Sequence, residues 1–117
     1  MFNELLFELT QNQEWQPEAN VIETDHQYRI EVDLPGVPKD AVTIAADARV
    51  LSITGERALP EEKRLRAESR FGKFRRRFQL PEGVRDQEIE ASHRDGLLTI
   101  VVPKARAPGT RAIQISG

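Results

Sequence analysis

The chain has 117 residues, of which 38% are hydrophobic and 31% charged, with a formal net charge of −2 and no cysteine. That length supports one domain around one modest core. The absent cysteines exclude a disulfide framework and a thiolate metal site, and they fit a reducing compartment. The charge is unevenly spread: residues 1–56 hold 11 acids and 3 bases, a net −8, whereas residues 57–77 hold 3 acids and 9 bases, a net +6. Such a chain can complement itself or a second copy, or its basic stretch can face nucleic acid.

In chain order, Phe2, Leu5, Leu6 and Leu9 recur at the spacing of one helix face. So short a helix is marginal alone and must dock on its own domain or on a neighbour. Its polar face carries Glu4 and Glu8, not the Lys and Arg that a membrane surface would favour. The first ten residues also lack the basic start of a signal peptide, and no apolar run approaches the ~20 residues of a membrane span. A cytoplasmic protein without a membrane role is the expectation.

After Trp15-Gln16-Pro17 the pattern changes to period two. Tyr28, Ile30, Val32 and Leu34 alternate with Arg29, Glu31 and Asp33, and Pro35-Gly36 makes a turn. Val42 and Ile44 mark a second strand, separated at Asp47-Ala48 from a third, Val50–Thr54, which ends at Gly55. Phe74 and Phe78 mark a strand stopped by Pro81, and Ile89–Ser92 a short one. Asp95-Gly96 is a tight-turn signal before Leu97–Val102. Short strands with turn residues between them predict an all-β sandwich. Residues 57–69 are polar and longer than a hairpin needs, and residues 103–112 read as a tether.

No catalytic constellation stands out. His26 and His93 are isolated, there is no metal-ligand spacing, and the glycine and Ser/Thr of a phosphate loop are missing around Gly72-Lys73. An enzyme, a cofactor and a metal are therefore not expected. Arg75-Arg76-Arg77 with Phe71, Phe74 and Phe78 raises the nucleic-acid reading. On a strand, however, Arg75 and Arg77 share one face and Arg76 lies on the other with Phe74, Phe78 and Leu80. Three arginines in a row are then not one patch, and a solvated or paired sheet edge is the simpler account. Ile113 and Ile115 point the same way in an extended chain, so they form either a last strand or two knobs for one groove.

The chain resembles the small heat shock proteins, which carry an α-crystallin domain. The pieces come in order: Trp15-x-Pro17, Tyr28 to Val37, Leu51 to Arg57, Gly72-x-Phe74-x-Arg76-x-Phe78-x-Leu80-Pro81, Ile89-x-Ala91, Gly96 to Thr99, Pro103-Lys104 and Ile113-x-Ile115. The resemblance implies an immunoglobulin-like β-sandwich at residues 15–103, a short N-terminal arm at 1–14 and a C-terminal extension at 104–117. It implies an ATP-independent holdase that binds partly unfolded client proteins and assembles with itself as dimers or larger oligomers. The segment 57–69 corresponds to a loop whose strand joins the partner's sandwich, which makes Glu61, Glu62, Leu65, Glu68 and Arg76 the expected dimer interface. Ile113 and Ile115 correspond to knobs that dock in a groove of Val42, Ile44, Ile89 and Ala91. Phe2, Leu5, Leu6 and Leu9 are candidate client contacts. A CS-domain co-chaperone would share the sandwich but lack the Ile-x-Ile tail and the long loop.

Overall fold

The structure, a computed structural model, describes residues 14–105 and Ile115. Seven strands make up almost all of its regular structure: β1 Ala19–Glu23, β2 Gln27–Asp33, β3 Val42–Asp47, β4 Val50–Arg57, β5 Gly72–Gln79, β6 Glu90–Arg94 and β7 Leu97–Pro103. Short 3-10 turns at Lys39–Ala41 and Asp86–Glu88 lead into β3 and β6. The strands form two antiparallel sheets, one ordered β1-β2-β7-β6 and the other β3-β4-β5. The expected all-β sandwich is the observed one.

The alternation read from the sequence is the burial pattern of the strands. In β2 and just beyond it, Ile30, Val32 and Leu34 are buried, and β7 answers with Leu98, Ile100 and Val102. Ile30 pairs with Ile100 and Val32 with Leu98 across that seam. Leu51 and Ile53 of β4 and Phe74 of β5 close the core from the other sheet, and Val37 and Leu80 seal its ends. Every side chain in this core is apolar, so its stability rests on burial and packing.

Four local expectations shift. β1 was not foreseen: its Val21 is 57% exposed and Ile22 is only half-buried, so it shows no strong alternation. It is held by antiparallel pairing of Ala19–Glu23 with Val32–Tyr28. The β3–β4 turn lies at Ala48-Arg49, one residue later than expected, because Asp47 pairs with Val50. Both turn residues take positive φ, +51° and +64°, which such a two-residue turn requires and which Asn-Gly more commonly supplies. β4 does not end at Gly55 but runs to Arg57. β6 begins at Glu90, one residue after Ile89, and runs to Arg94. The Asp95-Gly96 turn stands as expected, with φ of +55° and +79° and Arg94 facing Leu97.

Candidate functional site

The outer strands β3 and β6 belong to different sheets, and the gap between them is a groove of mixed apolar and polar lining. One hollow of about 420 Å³ is lined by Val42, Ile44, Ala91 and Leu98, with Lys39, Ser92, His93 and Arg94 around it. A second, of about 230 Å³, continues from it along Ile44, Leu51, Ile89 and Ala91 to Ala46 and Asp86. The two share Ile44 and Ala91. The structure thus brings together all four residues expected to line a groove. Ala91 has only a methyl group to fill the space between the hollows.

Sequence reasoning missed the rest of the lining, because Lys39, His93, Arg94 and Leu98 carry no shared motif. His93 is the best fixed of them. Its Nε2 donates to the Val37 carbonyl oxygen at 2.6 Å, while Nδ1 is buried without a partner. Of the expected knobs, Ile113 lies outside the described residues, and Ile115 is 96% exposed. The candidate client contacts Phe2, Leu5, Leu6 and Leu9 also lie outside the described residues.

The loop between β4 and β5 carries no strand in the single chain. Glu61, Glu62, Leu65 and Glu68 are all exposed, Leu65 to 95%, and Leu59 beside them to 67%. Glu68 accepts a hydrogen bond from Arg66 at 3.2 Å within the loop. The loop acids and Arg76 are not brought together in one chain. Arg76 instead donates to the Pro17 carbonyl oxygen at 2.8 Å and lies 5.1 Å from the centre of the Phe78 ring. It points to the same side as Phe74 and Phe78, as period two requires, whereas Arg75 and Arg77 face solvent. Arg75 also meets Glu14 at 3.4 Å.

Trp15 covers part of the free edge of β5. Its backbone forms a parallel bridge to Phe74, donating to Lys73 and accepting from Arg75, both at 3.1 Å. At the other end of the domain, Lys104 roots the C-terminal extension. Its ammonium donates to Glu23 at 2.7 Å and to the Thr24 carbonyl oxygen at 2.8 Å, and lies 4.9 Å from the Tyr28 ring centre. The hydrogen bond and the charge of Lys104 hold the Glu23 carboxyl below the usual carboxylate range. Among the described residues, no group of three His, Asp or Glu side chains could hold a metal, and no helix is long and apolar enough to cross a membrane.

A sandwich with a groove between its open edges and a bare loop between β4 and β5 is an architecture, and sequence comparison gives it a lineage. The profile of the Hsp20/alpha crystallin family matches residues 20–116. The chain belongs to this family of small heat shock proteins. Among its small heat shock protein relatives, the 16.9 kDa class I heat shock protein 1 of Triticum aestivum is 43% identical over 102 residues, covering 81% of this chain and 68% of the wheat protein. The 17.8 kDa class I heat shock protein of Solanum lycopersicum is 39% identical over 127 residues, covering 99% of this chain and 82% of the tomato protein. The fold is likewise that of solved small heat shock proteins. The protein from Xylella fastidiosa, whose structure is described as a distinct high order structure, superposes with a TM-score of 0.75 at 35% identity, covering 89% of this chain and 99% of that one. Heat shock protein 16.0 from Schizosaccharomyces pombe does so with a TM-score of 0.75 at 33% identity, covering 88% and 98%.

Proposed function

We propose that this small heat shock protein is an ATP-independent holdase: it binds partly unfolded proteins through apolar surface, keeps them from aggregating, and assembles with itself. The observation that carries this reading is the pair of hollows between β3 and β6 that share Ile44 and Ala91, with Val42, Leu51, Ile89 and Leu98 as further apolar lining, set in a domain of a chaperone family. A groove of that shape binds an extended chain with apolar side chains two residues apart, and Ile113-Gln114-Ile115 has that spacing. Ile113 and Ile115 fill the two hollows when the tail docks. Burial of each stabilises by roughly 1.5–3 kcal/mol, less the cost of ordering the tether. The contact is therefore weak enough to open.

Self-association follows from surface left uncovered. Leu59 and Leu65 on the loop and Val21 on the outer strand β1 are large apolar side chains exposed in one chain. Residues 57–69 pair with the sandwich of a second copy, which covers Leu65 and lets Glu61, Glu62 or Glu68 approach Arg76. Phe2, Leu5, Leu6 and Leu9 of the arm supply client contacts. The protein works in the cytoplasm, and neither nucleic acid nor membrane is a partner.

Light scattering of a heat-destabilised client checks the central claim. The expected result is suppression of aggregation at equimolar protein, equal with and without ATP. No suppression at a several-fold excess, or suppression only with ATP, overturns it.

A further inference from the structure

Arg57 ends β4 and opens the loop, and its guanidinium lies between two aromatic rings. The guanidinium carbon is 5.1 Å from the centre of the Trp15 ring and 4.7 Å from that of Phe71. These three residues come from three parts of the chain: the segment before β1, the start of the loop and its end. The terminal nitrogens of Arg57 donate to the carbonyl oxygens of Pro35, at 3.0 Å, and of Arg70. Its Nε is buried without a partner, so the planar group is held by the rings and the two carbonyls. The stack continues at both ends. Phe74 tilts against Trp15 at 5.5 Å between ring centres, and Arg64, inside the loop, lies 5.3 Å from the Phe71 ring centre. Trp15 is fixed on its own account by the indole N–H donating to the Gly72 carbonyl oxygen at 3.1 Å.

We propose that Arg57 is a positioning residue that couples the N-terminal arm to the dimer loop, resting on the reading of 57–69 as the element exchanged between copies. The argument is one of preorganisation. A loop whose residues swing freely where it leaves the sheet loses that freedom when it pairs with a second copy, and association weakens accordingly. The β4–β5 ladder joins the ends of this loop as far as Arg57 and Gly72; the Arg57 side chain extends that hold to Arg70 and Phe71, just inside the loop, and sets them against Trp15. The loop then leaves the sandwich in one direction before a partner arrives. Coupling of this kind is reciprocal: if a seated Trp15 favours the paired loop, the paired loop favours a seated Trp15. Whatever draws the arm away strips one ring from Arg57 and loosens the hold on the second copy. Lysine is not an equivalent replacement, because its single ammonium lacks the planar fork whose two terminal nitrogens reach the Pro35 and Arg70 carbonyls.

A double-mutant cycle on the full chain tests the coupling, with subunit exchange between isotopically heavy and light copies read by native mass spectrometry. Arg57→Lys and Trp15→Leu are each expected to speed exchange by about tenfold. The double variant should exchange no faster than the faster single one, because each removes the same contact. Circular dichroism melts check that the variants are folded, and Phe71→Leu replaces Trp15→Leu in the cycle if the latter is not. Wild-type exchange in Arg57→Lys, or effects that multiply to about a hundredfold in the double variant, overturn the coupling. A dimer that persists after deletion of residues 59–67 overturns the loop reading itself, so the two failures are distinct.

Discussion

Gly55 shows how a side chain can be excluded by one backbone carbonyl and one packed ring. It sits within β4, opposite Val42 on one side and Phe74 on the other. A Cβ there would overlap both the Ala41 carbonyl oxygen and the ring of Phe74. Phe74 is 1% exposed and cannot move aside without opening the core. Gly55→Ala should therefore destabilise the domain by about 1–3 kcal/mol, the usual cost of overpacking. A thermal melt checks it, at about 4–8 °C for each kcal/mol in a domain of this size. An unchanged melting temperature would mean that the ring and the turn at 39–41 yield at no cost. The arginine triplet teaches the complementary lesson. Arg75 and Arg77 remain in solvent, while Arg76 turns inward onto Pro17 and Phe78 because the pleat of β5 leaves it no other side.

Lys104 belongs to no strand, yet it ties the root of the extension to the β1–β2 hairpin through Glu23 and Thr24. Lys104 lowers the Glu23 pKa, so this contact adds stability above the ordinary carboxylate pKa, and the gain is lost as pH falls through the lowered value. Glu23→Gln should melt below wild type at neutral pH. The two melting temperatures should converge as the pH drops below about 4. Parallel curves at all pH values would show that the ion pair contributes nothing. Elements with strong alternation, such as β2 and β7, could be read directly from the sequence, because one face of each is wholly buried. β1 could not, since an edge strand with an exposed Val21 owes its form to pairing and not to patterning. The groove was legible through family resemblance at Val42, Ile44, Ile89 and Ala91. Lys39, His93 and Arg94 were not, since only the approach of two sheets brings them to the same hollow. Trp15 and Arg57 lie far apart in sequence, and no local pattern announces their stacking.

On the reading proposed above, the tail and the loop make separable contributions to assembly. Ile113→Ala with Ile115→Ala should reduce the oligomer to dimers and leave the melting of the dimer nearly unchanged, since Ile115 is 96% exposed in the single chain. Native mass spectrometry with a parallel melt decides it. A melting temperature lower by several degrees with an unaltered mass would make residues 113–115 a strand of their own domain. Trp15 lying along β5 has a further consequence for growth. Strands β3 and β6 border the groove, and part of the edge of β5 is taken by the chain's own backbone, which leaves β1 as the outer strand most open to another chain. If residues 57–69 of each copy take the β1 edge of the other, the exchange uses up both loops and both edges and closes at two copies instead of extending into a fibre, and any larger shell would be stitched through contacts outside the sheets.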